Sequence, residues 1–340
     1  MSLLCLLSLE GCGFSQGDKA YFEDPKGMKI EPLTFVAGTI NGSWVQIAAA
    51  LAERVNDVCS GYPVTVSTGG DIANTKLIQR GEADIGFSQQ LILNRMLAEQ
   101  ESGEATLENV RGIAAMESTA LYFIADQSLE AEYLGDLLHS GKKLRLGTLS
   151  DSDTSYMLLE QVLEAYGLKN QGEALESGTE IYTADGGSLF KAYQDHYFDL
   201  LVINESLYDP ALAELLEKRE SRILQIEPGI IRKLTAIPGW QSLTIPAGTY
   251  LGQTADVQTL GMKTVLIANK DVSEEAAYLL ARIINENIAF LEMIHQSYKE
   301  VRSGNLPVIQ SVMLHPGARR YYEETGLLSK KGEEDETDKE

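Results

Sequence analysis

Four glycine-bearing turns carry most of the polar side chains that this chain could turn on a small molecule. "GTINGSW" brings Gly38, Thr39, Gly42, Ser43 and Trp44, and "STGGD" brings Thr68, Gly69 and Gly70 ahead of Asp71. "GTLSDSDT" brings Thr148, Ser150, Asp151, Asp153 and Thr154, and "ADGG" sets Asp185 before Gly186. Each turn stands where an apolar run gives way to a helical pattern, so each lies at a helix N-terminus, where backbone N–H groups lack partners and polar or anionic groups are welcome. A nucleotide is a poor candidate, because no Lys follows these glycines and Gly-x-Gly-x-x-Gly is absent. Asp151 and Asp153 suit two roles. They can cap the following helix and complement its dipole, or they can join Asp185 and Glu205 in neutralising an ammonium or guanidinium group.

Catalytic constellations are not legible. The four histidines, His139, His196, His295 and His315, are scattered, with no HExxH and no Cys-x-x-Cys. No Gly-x-Ser-x-Gly turn joins an apolar run to a helical pattern. Cys59, near the end of a helix and beside its apolar stripe, reads as a buried thiol. The expectation is a binding protein without metal or cofactor rather than an enzyme.

The elements that must hold these turns form an imperfect repeat. In the first copy the strand "LTFVA" leads through Gly38-Thr39 into a helix whose Trp44, Ile47, Ala48, Leu51, Val55 and Val58 share one face. Gly69-Gly70, a short helix closed by Gly81, and a strand led by Asp84 and ending at Gln89 follow. In the second copy "LRLGT" leads through Gly147-Thr148 into a helix with Leu158, Leu159, Val162, Leu163 and Tyr166 on one face. Gly186-Gly187, a short helix and a strand led by Asp199 follow. Two α/β lobes of parallel strands, with their carboxyl-end turns facing across a cleft, explain that order. "LYFIAD" and "MKTVLIAN" read as strands leaving and re-entering the first lobe. "SEEAAYLLARIINENIAFLEMI" reads as one long helix capped by Ser273.

At 340 residues and 44% hydrophobic the chain can build two cores, and a net charge of −22 argues against nucleic acid or an anionic membrane surface as partner. The apolar start, ending at Gly11-Cys12, has the outline of an exported leader with a lipidated Cys12, although Glu10 and the missing basic residues do not fit that pattern. Export to the periplasm or another extracytoplasmic space is the expectation. The tail "SKKGEEDETDKE" is charged, without apolar residues, and is expected to be disordered.

Six blocks in order resemble the TAXI-type solute-binding proteins of tripartite ATP-independent periplasmic (TRAP) transporters. They are "FVAGTINGSW", "TGGDIANTKLIQRGEADIGFSQQ", "VRGIAAM", "LRLGTLSDSDTS", "TIPAGTYLGQTADVQTLGMKTVLIAN" and "LHPGARRYYEETG", within Leu33 to Leu328. The resemblance implies an α/β, two-lobed periplasmic-binding fold of the second type with a ligand cleft between the lobes. The expected division is a leader at 1–28, one lobe from 29–122 plus about 266–328, the other from 123–265, and a tail at 329–340. It further implies a monomer, a small carboxylate-bearing or amino-acid-like ligand, and a TRAP permease as membrane partner. A ligand-sensing subunit, or an enzyme on the same scaffold, is the alternative. Carried over, Gly38, Thr39, Gly42 and Ser43 form the first ligand loop and Thr68, Gly69 and Gly70 the second. Gln89 is a polar contact. Trp44 is either a cover for the ligand or a rim residue, and Asp71 stands where a serine is usual and reads as an N-cap. Tyr250 lies near the cleft or packs at the hinge. The acids of "GTLSDSDT", where relatives carry small residues, imply a ligand with a positive centre.

Overall fold

A computed structural model describes residues 30–40, 42–59, 64–101, 107–150, 153–168, 170–171, 174–175 and 178–329. The leader with Cys12, the tail from 330 onward and Asp151 lie outside these described residues. In the first lobe β1 (Leu33–Val36), α1 (Ser43–Val58), β2 (Val64–Ser67), α2 (Asp71–Arg80), β3 (Ile85–Gln89) and α3 (Gln90–Glu101) lead into β4 (Val110–Asp126). The second lobe runs through α4 (Leu134–Leu138), β5 (Arg145–Thr148), α5 (Thr154–Ala165), β6 (Asn170–Gln171), β7 (Ala174–Leu175), β8 (Glu180–Thr183), α6 (Gly186–Gln194), β9 (Leu200–Ser206) and α7 (Pro210–Lys218). The chain continues through β10 (Ser221–Ile223), α8 (Pro228–Thr235) and β11 (Gln241–Ile245), and returns along β12 (Val257–Asn269) to α9 (Glu274–Glu286), α10 (Ile288–Ile294) and α11 (Pro316–Glu324).

The strands join in one sheet in the order β2-β1-β3-β12-β4-β9-β5-β8-β7-β6, with β10 on β4 and β11 on β12. Each half has a parallel trio, β2-β1-β3 or β8-β5-β9. Each trio meets a long strand running antiparallel to it, β12 beside β3 and β4 beside β9, and these two long strands pair with each other. The arrangement is therefore the same unit twice, joined back to back. β4 is nearly all buried, as expected of a strand covered on both faces.

The aspartates that lead the inner strands do the same work in both copies. Asp84 Oδ2 accepts from Thr34 N at 2.7 Å, and Asp199 Oδ2 accepts from Arg145 N at 2.9 Å, each tying the third parallel strand to the first. These matched bonds set Thr34 against Arg145, so Thr148 falls at the place of Ala37 and Leu149 at the place of Gly38. Matching Gly38-Thr39 with Gly147-Thr148, as the sequence invites, is two residues out of step.

One expected element differs. The long helix from Ser273 divides at Asn287, whose φ of −120° and ψ of 20° leave the helical region and whose Nδ2 caps Ile283 O at 2.7 Å. Ser273 does cap α9, accepting from Ala276 N, and Ile283 and Ile284 are buried as the stripe requires.

β12 crosses β4 at Gly261, where an added Cβ would stand 2.4 Å from the Thr119 carbonyl oxygen. Backbone cannot retreat as a side chain can. Gly261→Ala is therefore expected to lower stability by about 1–3 kcal/mol, read as an earlier unfolding midpoint in urea. Wild-type stability in that variant would mean the crossing is looser than this.

Candidate ligand-binding site

The carboxyl ends of both parallel trios converge on one cavity of about 150 Å³. That is about five waters' worth of liquid, the scale of a small metabolite. From the first lobe come Gly38 and Thr39 after β1, Gly42, Ser43 and Trp44 at the start of α1, Gly69, Gly70 and Asp71 before and at the start of α2, and Gln89 at the end of β3. The second lobe gives Leu149 after β5, Asp153, Thr154 and Ser155 at the start of α5, and Asn204, Glu205 and Ser206 at the end of β9; Thr119 of β4 lies between.

The lobes touch directly around this cavity. Ser43 Oγ and Ser206 Oγ are 3.1 Å apart, and Thr154 Oγ1 donates to the Asp71 carboxylate, 2.6 Å from Oδ2 and 2.7 Å from Oδ1. The cleft is thus closed. Beneath it Trp44 leans on Phe87 with ring centroids 5.4 Å apart, and its Nε1 donates to Oε1 of the fully buried Glu117 at 3.1 Å. Trp44 is both wall and support.

Backbone donors in the glycine turns are unevenly available. Gly42 N donates to Thr39 O, Gly69 N to Gly38 O, and Gly70 N to Asn74 Oδ1. Buried Asn74 also binds Ala37 O and Phe87 O, and its Oδ1 lies where a Cβ on Gly69 would stand, which is why that turn requires glycine. Asp71 takes the first turn of α2, and Asp153 caps α5 by accepting from Ser155 N at 2.8 Å. At α1, by contrast, no side chain caps the N-terminus and its first turn holds no acid. In the turn expected as the second ligand loop, Gly69 N and Gly70 N are thus spent inside their own lobe, and the anion-attracting end facing the cavity is that of α1.

The remaining charge is negative. Asp71, Asp153 and Glu205 line the cavity, and no Lys, Arg or His is among its lining residues. Burial pushes the Asp71 carboxyl up to about 6 and that of Asp153 upward as well. Glu205 is pushed up to about 8 by burial, then by the charges of Asp209 and Asp153.

Of the residues singled out in the sequence, Gly38, Thr39, Gly42, Ser43, Trp44, Gly69, Gly70, Gln89, Asp153, Thr154 and Glu205 are brought together. Thr68 and Ser150 are exposed and stand apart from the lining. Thr148 is buried inside the sheet, the consequence of the two-residue offset between the copies. Asp185 caps α6 through Ser188 N at 2.9 Å and faces solvent, and that hydrogen bond lowers its pKa. Tyr250 packs in the second lobe, its hydroxyl 2.9 Å from that of Tyr122, and lines a different hollow of about 450 Å³. Asp71, read as a cap, and the unforeseen Thr119, Leu149, Ser155, Asn204 and Ser206 complete the wall. Asn204 had a signal: counted from Asp84 and Asp199, it is the second copy's Gln89.

A cleft closed between two α/β lobes, each offering the carboxyl ends of parallel strands, defines the periplasmic-binding class of fold. Residues 35–326 match the NMT1-like family, and the chain belongs to it. Among solved structures, the periplasmic binding protein BugD is 13% identical, with 88% of this chain and 99% of that one covered, at a TM-score of 0.55. MatC from Rhodopseudomonas palustris with bound malate is 11% identical, with 86% and 98% covered, at 0.55. At these identities the likeness is one of fold.

The Asp71–Thr154 contact makes a testable pair with pH. Because burial raises the folded-state pKa of Asp71 from 3.8 to about 6, ionising it costs stability that is intact below pH 4 and lost as pH rises through 6. Asp71→Asn keeps an acceptor for Thr154 without the charge. It is expected to match wild type near pH 4 and to exceed it by on the order of 1–3 kcal/mol at pH 7, measured by urea unfolding at both pH values. A gap independent of pH would contradict this.

Proposed function

We propose that this protein is an extracytoplasmic solute-binding receptor that closes its two lobes on a small amino-acid-like metabolite and presents it to a TRAP-type membrane permease. The lobes in this reading are 29–122 with about 266–328, and 123–265, and lipidated Cys12 holds the receptor at the membrane. The observation that carries it is the cavity itself, walled by both lobes and bridged by Ser43–Ser206 and Asp71–Thr154. A group held there stabilises the closed form, which is the form a permease can distinguish from the open one.

The lining supports a zwitterion. A carboxylate has the uncapped end of α1, and a positive centre has Asp71, Asp153 and Glu205. A dicarboxylate such as the malate held by MatC would meet three acids here and no basic side chain, so it is disfavoured.

The test is a thermal-shift screen of amino acids, amines and dicarboxylates, followed by small-angle X-ray scattering with the best binder. A hundredfold excess over Kd is expected to raise the melting midpoint by about 4 °C and to shrink the radius of gyration, with the ligand recovered unchanged after prolonged incubation. Preference for a dicarboxylate, saturation without compaction, or a turnover product would overturn the reading.

A further inference from the structure

Gln89 and Asn204 occupy equivalent places in the two copies, each four residues beyond the third strand's first paired position, Ile85 or Leu200. Both line the cavity. Gln89, 2% exposed, spends its Nε2 on Thr119 Oγ1 at 3.0 Å, while its Oε1 is buried with no donor; the Oδ1 of Asn204 is likewise buried with no donor. Two amide oxygens related by the internal repeat therefore call for N–H groups from a ligand. Beside them stand the carboxylates of Asp71, Asp153 and Glu205. Carboxylates gathered around one closed cavity, each only partly exposed and without a basic neighbour in the lining, favour keeping a proton over ionising together.

We propose that the cavity exchanges a proton for the positive centre of its ligand: Glu205 is a neutral carboxylic acid in the unliganded receptor and a carboxylate paired with the ligand's ammonium in the liganded one. The step balances as R–NH3+ plus Glu205–COOH giving the ion pair plus H+ released to solvent, with the N–H groups of the ammonium also meeting Gln89 Oε1 and Asn204 Oδ1. It rests on the receptor role proposed above and adds to it a chemical rule. Ligands without a positive centre gain no ion pair at Glu205, and affinity for those that have one rises with pH.

The titratable groups around Glu205 come from every side. Asp209 follows on the same segment, Asp153 stands at the start of α5, Asp71 belongs to the facing lobe, and Tyr122 of β4 lies near enough for its phenol to feel the Glu205 charge. Asp209 in turn is felt by Tyr250 and His295. Burial first, then the charges of Asp209 and Asp153, raise the Glu205 midpoint to about 8, so at neutral pH the proton is present to be displaced.

The experiment uses the whole chain with 13C-labelled glutamate carboxyls, the Glu205 resonance being the one lost in Glu205→Gln. In sodium chloride its midpoint is expected near 8. In about 0.1 M methylammonium chloride at equal ionic strength it is expected to fall by about one unit or more. A midpoint in the ordinary glutamate range, or one that methylammonium leaves unmoved, overturns the proposal. Asp209→Asn, outside the lining, is expected to lower the midpoint in sodium chloride, and no change there also overturns it. The two readings fail separately. An amino acid that binds at pH 7 without releasing a proton, counted calorimetrically in buffers of different ionisation enthalpy, sinks the exchange and leaves the receptor standing. A methylammonium-sensitive Glu205 in a protein that compacts around nothing in the screen does the reverse.

Discussion

Every part of the site is placed by the antiparallel pairing of β4 with β12 down the middle of the sheet. Each long strand closes one parallel trio on its outer edge and meets the other long strand on its inner edge. Because the trios flank this pair as the same unit repeated, their carboxyl ends arrive at a common seam from opposite sides. Thr119 marks it, paired with Met262 on one side and Ser206 on the other. A sheet continuous through the seam restricts the lobes to movements about two strands, so a few hydrogen bonds across the cleft suffice to hold it closed.

That economy shapes the electrostatics. Helix N-termini converging on a closed space would favour anions, yet Asp71 occupies one and Asp153 another, leaving α1 as the positive end. The result is a polarised cavity, with bare N–H groups at one wall and carboxylates at the others. Desolvation raises the carboxyls toward neutrality instead of leaving them as unpaired buried charges, the usual response when no cation is at hand. Trp44 contributes by joining the wall to a deeper layer. Its ring rests on Phe87, itself 5.1 Å from Phe35, and its indole supplies a donor to the buried Glu117, so the cavity-lining side chain is fixed from behind.

Much of this was legible in the sequence because it depends on local rules. Strand-turn-helix punctuation marked β1, α1, α2, β3, β5, α5 and β9, and the leading aspartates Asp84 and Asp199 marked a repeat whose reason appears only when their side chains are seen tying strands together. What stayed hidden is register. Gly38-Thr39 and Gly147-Thr148 look alike as letters, but hydrogen bonding aligns Ala37 with Thr148, which turns one expected ligand residue into sheet interior and puts Leu149 in the wall. Pairing across the cleft was equally hidden, since nothing local in Asp71 or Thr154 says that they meet. Asp185 and Tyr250 illustrate the remaining ambiguity: capping and packing use the same residue types as ligand binding, and only three-dimensional placement separates them.

A receptor of this kind holds its solute in the one cavity between the lobes. A crystal structure of the protein purified without denaturation and soaked with the best binder tests it most directly. Density is expected for a small zwitterion bounded by Trp44, Gln89 and Glu205, its carboxylate at the start of α1 and its ammonium toward Glu205. Density instead in the hollow beside Tyr250 and Val257, with the interlobe cavity holding only solvent, would contradict it.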